Sequence, residues 1–244
     1  MRGRILDLFL ALIPIGMMAA ELSSLSERQA LDLITQARRE RADGYFYRSE
    51  AKYKQALSIL QSTAGPESPD LTPVLNGLAE LYFDAKRYTE AEELSRRSAA
   101  LVEKTLGPGH PLMATALHDL AATYHIQGQY AKAEPLYQQA LAIREATLGP
   151  KHPFVAITLA DLADMELGQG QSDRAAAHFA RAVEIQQDAF GENDPRVART
   201  LACYAVALCK SGHKHAASLA EARSRAILAH ARLSSRGPDV AAAR

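Results

Sequence analysis

The sequence predicts an all-α solenoid built from five helix pairs. The first observation is self-similarity. Shifted by 42 residues, the chain aligns with itself without gaps over segments 22–63, 64–105, 106–147, 148–189 and 190–231. The second is a pair of unbroken columns: Leu33, Leu75, Leu117, Leu159 and Leu201, then four residues later Ala37, Ala79, Ala121, Ala163 and Ala205. The third is punctuation between units, LGPGHP at 106–111 and LGPKHP at 148–153. A fixed period of this length marks a unit that cannot bury its apolar face alone and stacks on copies of itself.

Residues 1–20 stand apart from the repeats. MRGR supplies a positive start, and LFLALIPIGMMAA (Leu8–Ala20) follows without a charge. A bilayer-spanning helix needs about 20 apolar residues, and this run is shorter. Pro14 and Gly16 interrupt it before the small pair Ala19–Ala20. The pattern predicts a signal peptide cleaved after Ala20 and an extracytoplasmic protein, periplasmic or secreted. The alternative is a membrane anchor formed by residues 5–20. Directly after the cleavage point, SLSE (Ser24 to Glu27) has the form of a capping box that starts a helix.

From there residues 21–231 read as five helix pairs. Leu117 and Ala121 lie four apart on one helical face, which Leu120 and Tyr124 extend. A second stripe, Ala133, Leu136 or Tyr137, and Ala140, follows the break at Gly128. Two further columns hold only small residues: Ser49, Ala91, Ala133, Ala175, Ala217, and Ala56, Ser98, Ala140, Ala182, Ser224. They predict where paired backbones come closest. Gly44, Gly128, Gly170 and Gly212 share the turn column within repeats, with Lys86 the exception. Between repeats, Gly107 and Gly149 suit a left-handed residue just past a helix end. Pro108 and Pro150 then prevent continuation. His110, His152, Ser68 and Asp194 stand at N-caps, each before a proline at the first helical position. In the last repeat Glu221 replaces the aromatic residues Tyr137 and Phe179, which suits a unit with no successor. Residues 232–244 show no continuing pattern and are expected to fray.

Composition removes some functions. The chain is 48% hydrophobic, which excludes a disordered chain. Basic and acidic residues balance at 28 each, which gives no support to nucleic-acid binding. Cys203 and Cys209, six apart on one helix, are separated by about 9 Å of rise, beyond disulfide reach of about 7 Å. Free thiols fit export poorly. No G-x-S-x-G elbow, P-loop or H-E-x-x-H occurs. The reading is a protein without catalysis, cofactor or metal.

The segment LGPGHPLMATALHDLAATYHIQGQYAKAEPLYQQALAIREATLGPKHP (106–153) resembles tetratricopeptide repeats of the kinesin-light-chain-like subtype throughout. The resemblance spans about residues 22–231. It implies a right-handed α-α superhelix that binds a protein or extended peptide, and five repeats, more than the roughly three needed for independent stability, are expected to form a monomer. It also implies that the first helix of each pair lines a concave wall. Carried onto this chain, the wall positions of repeats two to four include Asn76, Glu80, Asp84, His118, Asp119, His125, Asp161 and Asp164. The subtype's paired asparagines, by contrast, are matched at Asn76 alone.

Most of those wall residues are carboxylates, while Arg38, Arg41, Arg199 and Lys210 sit in the flanking repeats. An acidic middle between basic ends would attract a basic or amine-bearing segment. The competing reading is a solvated face with local ion pairs. A second functional class, a small-molecule, metal or haem-binding module, would use His118, His125 or the thiols. His118 and His125 are seven apart, about 10 Å of rise, too far to grip one ion together. No membrane contact is expected unless the N-terminal segment stays uncleaved.

Overall fold

The computed structural model describes residues 15–234, and the side chains of residues 25–233. Two compact units divide the chain, residues 1–108 and 109–244. In the first, α1 (Ile15–Ala42), α2 (Phe46–Thr63), a short 3-10 turn (Pro69–Leu71), α3 (Thr72–Asp84) and α4 (Tyr88–Thr105) follow in order. In the second come α5 (Pro111–Ile126), α6 (Tyr130–Leu148), α7 (Pro153–Gly168), α8 (Ser172–Phe190), α9 (Pro195–Lys210) and α10 (Lys214–Ser234). No strand occurs among the described residues. The fold class is the all-α solenoid that the repeats predict.

In the first unit α1 packs on α2, α2 on α3 and α3 on α4. In the second, α5–α6, α7–α8 and α9–α10 pair, and each pair meets the next through α6–α7 and α8–α9. The first helices also touch one another, α5 on α7 and α7 on α9. The small columns mark the close approaches: Ala37, Ala56, Ala121, Ala133, Ala140, Ala163, Ala175 and Ala182 are all fully buried. Where a column admits serine, the hydroxyl finds a partner. Ser49 donates to the Ala37 carbonyl at 2.8 Å, and Ser224 to the Ala198 carbonyl at 2.6 Å.

The punctuation works as local chemistry. His110 and His152 accept from the backbone N–H groups of Leu112 and Phe154 through Nδ1, and Asp194 accepts from Arg196. The Arg196 guanidinium and backbone N–H hold the Asp194 carboxyl down to about 2. Ser68 caps the 3-10 turn instead of an α-helix. Lys86 takes a positive φ of 60° in the column its repeats fill with glycine. Gly149 has φ 89° but ψ 154°, so it lies outside the left-handed helical region expected for it. This extended, essentially glycine-only conformation turns the chain abruptly out of α6.

One reading at the ends is corrected. The helix α1 runs through Ser24 to Glu27, so the SLSE sequence starts no helix. Nothing between Pro14 and Gly44 stops helix propagation, and Gly16 lies inside α1. The expected cleavage point after Ala20 therefore falls within α1, while residues 1–14 of the expected signal lie outside the described residues. At the other end α10 continues to Ser234, and the remaining tail also lies outside them. Among the described residues, no helix is long and apolar enough to cross a membrane.

One close approach makes a testable prediction. Gly77 stands within α3, and a Cβ there would fall 2.5 Å from Cε1 of the fully buried Tyr53 ring. Glycine to alanine in a helix interior ordinarily stabilises by about 1 kcal/mol. Overpacking costs about 1–3 kcal/mol. Gly77→Ala is therefore expected to destabilise the first unit. A raised urea midpoint would mean that the ring yields freely.

Candidate functional site

The predicted wall residues fall in both units, and each unit is a separate neighbourhood. In the first, Asn76 is buried and accepts from the Ser98 hydroxyl at 2.6 Å. It belongs to the contact between α3 and α4, not to an open wall. Ser98 stands in a small-residue column, and its hydroxyl needs a partner once buried. Glu80 and Asp84 face Arg41 of α1: the guanidinium pairs with Glu80 and lies 3.6 Å from Asp84. Local ion pairing thus accounts for both carboxylates.

The second unit holds a denser group. His118 on α5 places Nε2 2.9 Å from Asp161 Oδ2 on α7, and Nδ1 3.6 Å from Asp119 Oδ1 on its own helix. A carboxylate at each ring nitrogen favours the doubly protonated imidazolium. Burial pulls the imidazole down, but Asp119 and Asp161 outweigh it and raise His118 to about 9. The Tyr137 ring stands edge-on at 5.5 Å. Two turns further along α5, His125 lies 3.9 Å from Asp164 and beside the rings of Tyr130 and Tyr137. Here burial wins over Asp164 and Asp161, and the His125 pKa is lowered. The two histidines of one helix face are thus shifted in opposite directions, His118 up and His125 down.

Exposure separates the carboxylates as well. The Asp119 side chain is 16% exposed, Asp161 43% and Asp164 62%. Asp161 and Asp164 share one face of α7 with the exposed Ile157, four residues before Asp161. On α9, Val206 is exposed and Cys203 half-buried. Burial and then Asp164 push the Cys203 thiol up, so it stays protonated and a poor nucleophile. Cys209 is exposed, and both cysteines are free.

Arg144, which the sequence pattern alone did not single out, and Tyr137, read there only as a stripe residue, complete this group. Arg144 on α6 is buried and donates to the Thr158 hydroxyl and the Phe154 carbonyl oxygen of α7. Burial lowers its pKa, with Asp119 and Asp161 opposing. Tyr137 is 1% exposed and separates the two histidines. Their columns signal them: Arg144, with Gln186 one repeat later, interrupts Leu60, Val102 and Leu228, and Tyr137 is matched by Tyr53 and Phe179. Among the described residues, no group of three or more His, Cys, Asp or Glu is arranged to hold a metal ion.

The tetratricopeptide-repeat family pattern matches residues 70–146 and 114–188. No curated relative matches the sequence. Among solved structures, BtubC (BKLC) from P. vanneervenii is similar at 22% identity and a TM-score of 0.72, covering 90% of this chain and 93% of its own. A Podosopora anserina chain described as kinesin light chain, with nearly identical TPR-like repeats, is similar at 27% identity and a TM-score of 0.68. The similarity covers 84% of this chain and 97% of that one. A Rap protein complexed with Competence and Sporulation Factor is similar at 16% identity and a TM-score of 0.67, over 82% of this chain and 54% of its own. The chain belongs to the tetratricopeptide-repeat proteins, in their kinesin-light-chain-like form.

Proposed function

We propose that the chain is a non-catalytic scaffold that receives an extended protein segment on the first helices of its second unit, in an extracytoplasmic assembly. The repeat fold is in general one of protein-interaction scaffolds. The observation that carries the finer reading is the exposed row on α7, Ile157, Asp161 and Asp164. Its chemistry suits a segment that sets an aliphatic side chain beside Ile157 and a cationic one beside Asp164. The His118 imidazolium offsets part of the charge of Asp119 and Asp161, so Asp164 is the carboxylate a ligand meets first. The basic character of the partner rests on this row alone, because Glu80 and Asp84 already face Arg41.

The test is fluorescence anisotropy with labelled peptide pools of equal length, one lysine-rich, one glutamate-rich and one neutral. The lysine-rich pool is expected to bind, and the Asp164→Lys variant, which leaves the His118–Asp161 contact in place, to lose that binding at least about tenfold, the weight of roughly 1.4 kcal/mol. Equal binding by both proteins would remove the acidic row from the reading. The location is tested separately, by cell fractionation and N-terminal sequencing of the native protein. A mature chain beginning at Glu21 supports export, and an intact Met1 in the cytoplasmic fraction opposes it.

A further inference from the structure

Among the junctions between consecutive first helices inside each unit, that of α1 and α3 pairs Arg41 with Glu80 and Asp84, and one alone sets a histidine against a carboxylate. The position of His118 is filled by Ile34 and Ala160 in repeats one and four, and the position of Asp161 by Gly77 and Cys203 in repeats two and five. Stacking therefore does not require the pair: α7 stacks on α9 with Ala160 and Cys203 at the same two positions. At the junction of α5 and α7 the sequence adds His118 and Asp161, 2.9 Å apart.

We propose that His118 is a proton-controlled clasp between the third and fourth repeats, joining Asp119 to Asp161 as an imidazolium and releasing α7 from α5 when it loses its proton. The neutral ring has one N–H and one bare nitrogen. With a carboxylate facing each nitrogen, loss of either proton sets a lone pair against a charged oxygen. The distance to Asp161 is that of a charge-assisted hydrogen bond.

The groups around the ring are Asp119 on α5, Tyr137 and Arg144 on α6, and Asp161 on α7. The carboxylates favour the proton, while burial and Arg144 oppose it. The second histidine takes no part at neutral pH. His125 stands beyond hydrogen-bond distance of Asp164 and faces the rings of Tyr130 and Tyr137. A group raised in the folded chain stabilises fully below its unfolded value, about 6.5. That contribution is lost as pH rises through the folded value, about 9. The clasp holds whatever segment the wall receives, so it stands apart from the proposed function.

The test is long-range proton–nitrogen spectroscopy of the histidine rings in the full chain, together with amide hydrogen exchange. At pH 7.5 both His118 nitrogens are expected to carry protons, with a midpoint near 9. Asp161→Asn, which keeps the shape, is expected to lower the His118 proton affinity about tenfold or more, one pH unit. Exchange in α5 and α7, corrected for its intrinsic base catalysis, is expected to accelerate above pH 9 in the natural chain. In His118→Gln it is expected to be equally fast on both sides of that value. A neutral His118 at pH 7.5, or an unchanged midpoint in Asp161→Asn, would overturn the clasp even if His118→Gln fails to fold.

Discussion

Tyr137→Ala is expected to destabilise the second unit by about 3–5 kcal/mol, the range for deleting a buried aromatic side chain. The ring is 1% exposed and packs with Leu120, Ala121, Tyr124, Ala133, Leu162 and Met165. Those neighbours come from α5, α6 and α7, so the cavity opens between two repeats. Neither side can close it without moving a fully buried alanine column. Tyr137→Phe is the internal control. Phe179 fills the same column one repeat later and is equally buried, so the ring alone suffices there. Urea unfolding followed by circular dichroism measures the cost. Hydrogen exchange locates it, because nearest-neighbour stacking concentrates the loss at the third and fourth repeats. A second readout is specific to this position. Burial holds the His125 pKa down, so opening the site to water is expected to move it back up toward the ordinary histidine value. A stable Tyr137→Ala with His125 unchanged would mean that the ring contributes neither packing nor desolvation.

How far the sequence can be read follows from what periodicity reports. The Leu and Ala columns specify helix faces and close approaches, since every repeat must bury the same face against the same neighbour. They say nothing about which polar groups meet across repeats. Asn76 shows the difference. It sits at a wall position by register, yet Ser98 draws it inside. The available signal was a serine at 98 where repeats one, three and four hold Ala56, Ala140 and Ala182. Arg144 follows the same rule. It replaces the Leu60 and Val102 of its column, and Thr158 replaces the Val74 and Ala116 of its own to receive it, while Gln186 and Thr200 are polar at the same two positions one repeat later. Paired departures in a repeat protein thus mark contacts that no single column reveals. The capping motif at Ser24 failed for the opposite reason. It is a purely local signal, and an uninterrupted helix-forming stretch overrides it.

The clearest paired departure leads to the second large effect. Glu166 on α7 is fully buried, with Oε2 2.8 Å from His178 Nδ1 and Oε1 2.9 Å from Arg174, an ion pair without the alignment of a hydrogen bond. Arg174 also reaches Glu134 on α6 at 3.1 Å. The same two positions hold Glu40 and Lys52 in the first repeat, paired at 2.9 Å, but Tyr82 and Leu94 in the second and Tyr124 and Leu136 in the third. One site therefore holds a polar, hydrogen-bonding pair in some repeats and a Tyr–Leu pair in others on the same backbone. Stripping both partners in Arg174→Ala/His178→Leu leaves the carboxylate buried and uncompensated. A loss of about 3–5 kcal/mol is expected. Adding Glu166→Tyr recreates the pair already accommodated in repeats two and three, and apolar replacement of a buried ion pair is often neutral or stabilising. The triple variant is thus expected to recover most of the lost stability, measured by urea unfolding in a double-mutant cycle. If it stays as unstable as the double variant, the two apolar repeats owe their packing to context beyond these positions. In that case the charged network is a requirement of the fourth repeat.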